Sequence, residues 1–121
     1  MNQYKRIFIV GHPGAGKGLL AKTLAEKLRW KYINADLGLE SKFGKTLIEI
    51  LGKHGVDHFN QCLEDSLKAQ LNQEKIVVAT DGNIADLKNN RQLLSLEFVV
   101  YLKTSTIVQL NRGGRNQENR S

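Results

Sequence analysis

The sequence predicts an α/β protein with three layers, in which a mostly parallel sheet of about four strands lies between helices on both faces. Continuous apolar runs alternate with segments of helical periodicity, and such runs are typical of strands buried on both faces of a parallel sheet. A glycine-rich loop also joins the first apolar run to the first helical segment, as in a crossover connection.

Apolar runs predict the strands in chain order. The first run is stopped by Gly11 and the third by Asp81-Gly82, which are residues typical of turns. The predicted strands are 6–10, 30–33, 75–80 and 97–102.

Helical periodicity fills the segments between these strands. Leu20, Leu24 and Leu28 recur every four residues after the glycine loop, which predicts an amphipathic helix. Further helices are expected around 47–51, ending near Gly52 and Gly55, then at 59–71 and 87–96, with a last helix starting at Thr106 in a capping-box pattern.

The length of 121 residues leaves room for one domain. We expect this domain to span residues 1–111. Residues 112–121 lack apolar periodicity and are expected to form a tail.

The composition of the sequence bears on where the protein is located in the cell and on whether it associates with a membrane. No apolar run approaches the roughly 20 residues of a membrane span, so no membrane association is expected. The first residues are polar with no apolar signal segment after them, and the single cysteine, Cys62, excludes an internal disulfide. These features favour a cytoplasmic protein.

The net charge of +6 suits a protein that binds phosphorylated ligands. Nucleic acid is the weaker interpretation, because the basic residues are scattered and the few aromatic residues are not interleaved with them. A small phosphorylated ligand is therefore favoured over RNA or DNA, and the glycine loop that starts at Gly11 makes a nucleoside triphosphate the expected partner.

The strongest motif is the loop from Gly11 to Lys17, which has the G-x-x-x-x-G-K spacing of a P-loop. Glycines let consecutive N–H groups turn inward toward a phosphate, and Lys17 adds a positive charge. A glycine-rich turn without a ligand would require neither Lys17 nor three glycines. The residues expected to bind the nucleotide are Gly11, Gly14, Ala15, Gly16, Lys17, Gly18 and Leu19.

Gly18 departs from the motif, because a serine or threonine that holds Mg²⁺ normally follows the lysine. We therefore expect phosphate binding to survive better than metal-dependent transfer. Asp81 ends an apolar strand beside this loop and is a candidate metal ligand, as in a Walker B motif. The alternative is a turn-forming Asp-Gly pair, and the sequence leaves both interpretations open.

The ordered set of motifs resembles the shikimate kinase family. It comprises 7–17, 34–40, 77–82 and 99–102. The resemblance implies a P-loop fold that uses ATP and Mg²⁺ to phosphorylate a hydroxyl of shikimate or a similar small hydroxylated acceptor.

The resemblance also assigns roles within the site. It implies that Lys17 and Asp36 are catalytic and that Asp36, Asp81 and Gly82 contact the acceptor. Asn34 replaces a carboxylate that supports Mg²⁺ through water in the family. For Asp36 the alternative is a helix-capping or turn residue.

Other positions depart from the family pattern. Asn60 stands where the family has an arginine for the acceptor carboxylate, and 112–121 corresponds to a truncated lid. Within it, Arg112 matches the arginine that packs on adenine, and Arg120 approximates the one that reaches the phosphates.

Two functions follow from these features. The first is a small-molecule kinase with an ATP site. The alternative is a truncated or degenerate nucleotide-binding pseudoenzyme, which Gly18, Asn34 and Asn60 favour. An open sheet edge would also permit self-association.

Overall fold

The computed structural model describes residues 4–12 and 15–103. The expectations for Gly14, the helix from Thr106, Arg112, Arg120 and the segment 112–121 lie outside the described residues.

The described residues form a parallel sheet of four strands in the order β2-β3-β1-β4. Because the strands are parallel, their carboxyl ends share one edge of the sheet, and residues that follow β1, β2 and β3 are brought together there. The predicted fold class is confirmed. The strands are β1 Arg6–Gly11, β2 Lys31–Asn34, β3 Ile76–Ala79 and β4 Phe98–Leu102.

Helices connect the strands and cover both faces of the sheet. A short 3-10 turn, Ile84–Asp86, precedes the last described helix. The helices are α1 Lys17–Leu28, α2 Ala35–Phe43, α3 Leu47–Gln70 and α4 Lys88–Leu94.

Helix α1 packs on one face of the sheet through small residues. Ala21 and Ala25 are buried, whereas Leu28 is 38% exposed. The leucine stripe that predicted this helix therefore lies at the margin of the contact, with Leu20 and Leu24 only partly buried. Alanines let the helix backbone approach β1 and β3 closely, which larger side chains would prevent.

The other face of the sheet is covered by α2, α3 and α4. Phe8 and Val78 point from the central strands into this core, where they meet Ile50, Leu63 and Leu67 of α3. These side chains are at most 1% exposed. The helix predicted at 59–71 is part of α3, and Phe59, Leu63 and Leu67, which recur every four residues, lie on its buried face.

Two expectations about helices need correction. Helix α2 was not predicted; Asn34 begins it as the N-cap residue. The break expected near Gly52 and Gly55 occurs at Gly55 alone, where φ is 87° and ψ is 170°, and helical hydrogen bonding resumes immediately afterwards. Gly55 adopts this conformation because it has no Cβ.

None of the described helices is long and apolar enough to cross a membrane. Strands β2 and β4 form the edges of the described sheet. Self-association through such an edge stays a prediction.

We expect Gly11→Ala to destabilise the fold, because a Cβ at this position would overlap the carbonyl oxygen of Leu102 on β4. Relief of this overlap requires β1 and β4 to separate, at a cost of about 1–3 kcal/mol in the free energy of unfolding. Urea unfolding would measure this change.

The matched control is Gly38→Ala in α2, where no atom lies within 4 Å of the added Cβ. This variant should be neutral or up to about 1 kcal/mol more stable than the wild type. Equal stabilities of the Gly11→Ala and Gly38→Ala proteins would contradict the proposed overlap.

Candidate functional site

The glycine loop connects the end of β1 to the start of α1. Gly16 is the N-cap residue in a left-handed conformation, with φ 95° and ψ 22°, and no side chain caps this helix. The first turn therefore has backbone N–H groups available, and the positive end of the helix dipole faces the same direction. Both features stabilise a bound phosphate.

Lys17 crosses the loop in the described structure. Its Nζ donates hydrogen bonds to the carbonyl oxygens of Gly11 at 2.9 Å and His12 at 3.1 Å. Burial lowers the pKa of Lys17, while the carboxylates of Asp36 and Asp81 oppose this shift. The ammonium group is thus held at the mouth of the loop with two acidic side chains nearby.

Asp36 is positioned by the cap of α2. The Asn34 side-chain oxygen accepts a hydrogen bond from the Leu37 N–H at 3.0 Å, which fixes the first turn of α2. Asp36 lies in that turn. The capping alternative considered for Asp36 is therefore wrong, because Asn34 is the cap.

Asp81 follows β3 and is only 4% exposed. One of its carboxyl oxygens accepts the N–H of Asn83 at 2.8 Å, which is the bond of an Asx turn. The preceding Thr80 donates its hydroxyl to the carbonyl oxygen of Ile9 at 2.8 Å and ties this segment to β1. Asp81 forms the turn and also interacts with the charge of Lys17. Its role in the turn therefore does not exclude a role in the site.

Asp36 and Asp81 lie close enough to interact through their side chains. The pKa of Asp36 is raised to about 7, first by burial and then by a hydrogen bond and charge repulsion from Asp81, with Lys17 opposing and Glu40 adding to the shift. One oxygen of Asp36, Oδ1, is buried with no hydrogen-bond partner. Asp36 therefore binds a proton more readily than a carboxylate in water would.

The same pair fits a magnesium ion. Mg²⁺ in nucleotide sites is usually bound by one or two carboxylates together with phosphate oxygens and water. The unpartnered Oδ1 of Asp36 and the adjacent Asp81 supply oxygen ligands of this type. Within residues 4–12 and 15–103 no cluster of three or more acidic, histidine or cysteine residues is found, so an all-protein metal cage is not built there.

The remaining predicted site residues occupy the same edge of the sheet. Ala15, Gly16 and Gly18 lie in the loop and first turn, and Gly82 follows Asp81. Leu19 lies in the first turn of α1 with its side chain 75% exposed.

Sequence reasoning missed Tyr32. Its hydroxyl lies 3.3 Å from the position that a Cβ on Gly18 would take, and it accepts a hydrogen bond from the Asn34 side chain at 3.3 Å. A signal was present in the sequence, because strand alternation places residues 32 and 34 on the same face. The sequence does not show that this is the face covered by α1.

A glycine loop that joins the central strand of a parallel sheet to a helix starting with lysine defines a P-loop protein of the α/β class. The family model for shikimate kinase matches residues 13–121. The chain belongs to the shikimate kinase family.

Two curated relatives illustrate the match. A shikimate kinase of Sulfurihydrogenibium sp. is 34% identical over 115 residues, which cover 94% of this chain and 69% of the relative. A shikimate kinase of Xanthomonas axonopodis pv. citri is 30% identical over 118 residues, covering 97% of this chain and 66% of the relative. The chain thus spans about two thirds of the length of these relatives.

Solved structures agree with the fold. The shikimate kinase from Acinetobacter baumannii in complex with shikimate has a TM-score of 0.81 and 32% identity, covering 91% of this chain and 62% of that one. The shikimate kinase from Bacteroides thetaiotaomicron has a TM-score of 0.82 and 28% identity, covering 96% of this chain and 66% of that one.

The raised pKa of Asp36 predicts a specific dependence of stability on pH. Between the ordinary pKa of 3.8 and the folded value of about 7, the folded protein binds more protons than the unfolded chain. The free energy of unfolding therefore falls as the pH rises through this window. Because Asp36 is partly exposed, solvent screening limits the contribution to about 1–2 kcal/mol.

Asp36→Asn should remove this contribution, so that the loss of stability between about pH 5 and about pH 8 becomes smaller than in the wild type. Urea unfolding at both pH values gives the comparison. Asp86→Asn, at an exposed position in the 3-10 turn, should keep the wild-type dependence. An unchanged pH dependence in Asp36→Asn would show that Asp36 does not titrate in this range.

Proposed function

We propose that this chain carries the ATP site and the phosphoryl-transfer centre of a shikimate kinase. The reaction is transfer of the γ-phosphoryl group of ATP to a hydroxyl of shikimate or a closely similar small acceptor. One observation carries the proposal: the Lys17 ammonium lies beside the carboxylates of Asp36 and Asp81 where the glycine loop opens α1.

The loop and Lys17 bind the triphosphate. Without a ligand, the Lys17 ammonium is held by two backbone carbonyl oxygens, Gly11 O and His12 O. Phosphate oxygens carry more negative charge than carbonyl oxygens, so Lys17 exchanges these bonds for stronger ones to an ionised acceptor when nucleotide binds. Arg112 and Arg120 stay predicted contacts to adenine and to the phosphates.

Asp36 orients the acceptor and accepts its proton. A general base works best when its pKa is near the operating pH, and the pKa of Asp36 is raised to about 7 by burial and by Asp81. Asp36 also lies in the first turn of a capped helix, which fixes its backbone relative to β2. Gly82 offers backbone groups to the acceptor beside Asp81.

Asp81 is the residue that we assign to Mg²⁺, and Asp36 is assigned to the acceptor. When bound, Mg²⁺ neutralises charge on the phosphate oxygens that it contacts. The carboxylate of Asp81 is held in place by the Asn83 N–H, so its position does not depend on the ion.

Shikimate is the acceptor favoured by the similarity to the Acinetobacter baumannii enzyme, whose structure contains shikimate. Asn60 lies on α3 and cannot neutralise a carboxylate as an arginine would. The pseudoenzyme alternative considered from the sequence receives no support from the family match or from the relatives named above.

Lys17→Ala should weaken ATP binding by about 1.5–3 kcal/mol, a roughly 10- to 150-fold rise in Kd, because a charge-assisted phosphate contact is lost. Titration calorimetry measures this change. Lys22→Ala removes an exposed lysine from the same helix and is the matched control, with the wild-type Kd expected. Equal Kd values for the Lys17→Ala and wild-type proteins would remove the central claim about the loop.

Asp36→Asn should lower kcat for shikimate-dependent ADP release by roughly 10²- to 10⁴-fold, because the proton acceptor is lost while the side-chain shape is kept. A coupled assay with ATP, Mg²⁺ and shikimate measures the rate, and Asp86→Asn is the control. Retained kcat in the Asp36→Asn protein would exclude Asp36 as the base. A wild-type chain that binds ATP but releases no ADP with shikimate would restore the pseudoenzyme alternative.

A further inference from the structure

The position after Lys17 lacks a side chain, and the hydroxyl of Tyr32 fills the adjacent space. A Cβ on Gly18 would lie 3.3 Å from Tyr32 Oη, which is closer than an ordinary van der Waals contact. The hydroxyl oxygen of a serine would lie one bond beyond that Cβ. Tyr32 therefore brings a hydroxyl from β2 to the region where the P-loop motif places one from α1.

The fold holds Tyr32 in this place from several sides. Tyr32 is partly buried and packs against the cluster between α1 and the sheet, which includes Ala21 and Ala25. The Asn34 amide donates a hydrogen bond to Tyr32 Oη at 3.3 Å. Asn34 is itself fixed, because its side-chain oxygen accepts the Leu37 N–H at 3.0 Å as the cap of α2.

This arrangement leaves the Tyr32 proton available. The hydroxyl oxygen acts as an acceptor toward Asn34, so its O–H proton points elsewhere. Among the described residues, no group accepts that proton. Tyr32 Oη lies 3.3 Å from the Cβ position of Gly18, in the first turn of α1, which no side chain caps. The N–H groups of such a turn favour an anionic ligand, and a phosphate oxygen would also accept the Tyr32 proton.

We infer that Tyr32 is a nucleotide-binding residue whose hydroxyl donates a hydrogen bond to a phosphate oxygen of bound ATP, from the space that a side chain at position 18 would otherwise take. The inference rests on the proposed nucleotide site. Gly18 and Tyr32 act as a matched pair, because a side chain at position 18 and the hydroxyl at position 32 compete for the same space. Asn34 orients the hydroxyl and is a positioning residue for this contact.

Titration calorimetry with ATP tests the inference, first in EDTA and then with Mg²⁺. Tyr32→Phe removes only the hydroxyl and should raise the Kd roughly 10- to 150-fold under both conditions, because a hydrogen bond to a charged group is lost. Tyr101→Phe is the matched control, since Tyr101 lies on β4 and is 56% exposed. Its Kd should equal that of the wild type.

A reciprocal exchange separates the phosphate contact from a general effect on packing. Gly18→Ser alone should bind ATP no better than the wild type, because the new Cβ crowds Tyr32 Oη. Gly18→Ser combined with Tyr32→Phe should recover most of the affinity lost in Tyr32→Phe, since the hydroxyl returns from α1 and the crowding is relieved. Thermal unfolding of each variant shows whether it is folded.

The outcomes are distinct. Equal Kd values for wild type and Tyr32→Phe overturn the inference and leave the P-loop site intact. A Tyr32→Phe effect seen only with Mg²⁺ also overturns it, because the hydroxyl would then act in the metal shell. If wild type itself binds no ATP, the nucleotide site fails and this inference fails with it.

A second comparison applies if Tyr32→Phe does not fold. A Gly18→Ser/Tyr32→Phe protein that binds ATP at the wild-type Kd then supports the exchange. A double variant that is folded but does not bind ATP overturns it.

Discussion

The central position of β1 is the constraint on which the rest of this structure depends. β1 pairs in parallel with β3 on one side and β4 on the other. Its last residue, Gly11, lies against Leu102 without room for a side chain, and the carbonyl oxygen of Gly11 accepts a hydrogen bond from the Lys17 ammonium. The backbone of Gly11 therefore both packs closely against β4 and begins the phosphate loop.

Parallel pairing also brings together two acidic residues that are distant in the sequence. Asp36 and Asp81 are 45 positions apart in sequence, yet their carboxyl groups interact beside Lys17 because β2 and β3 are neighbours. One lysine does not balance two partly desolvated carboxylates, so the unliganded site is less stable than a neutral one would be. A proton or a cation offsets this imbalance, which links the stability of the fold to occupancy of the site.

Local sequence signals predicted the elements that surround the loop, because an apolar run followed by three glycines and a lysine is specific to a strand, a phosphate loop and a helix in that order. The sequence predicts less well which side chains of a helix contact the sheet. Ala21 and Ala25, rather than the leucines, form the contact of α1, since close approach to the sheet favours small residues. Helix α2 has no apolar stripe that would predict it, since Ala35 and Leu39 are its only buried residues, and the sign of its start is the N-cap residue Asn34.

Departures from a motif do not necessarily add up to a loss of function. Gly18 and Asn34 appear independent in the sequence, and each removes a group that the family uses around Mg²⁺. In the fold they lie on either side of one hydroxyl, with Tyr32 Oη next to Gly18 and hydrogen-bonded to Asn34. Residues that share a partner are coupled, so the effect of both departures cannot be obtained by summing two separate losses. The contact between β2 and α1 that couples them is tertiary, and for that reason no local pattern in the sequence shows it.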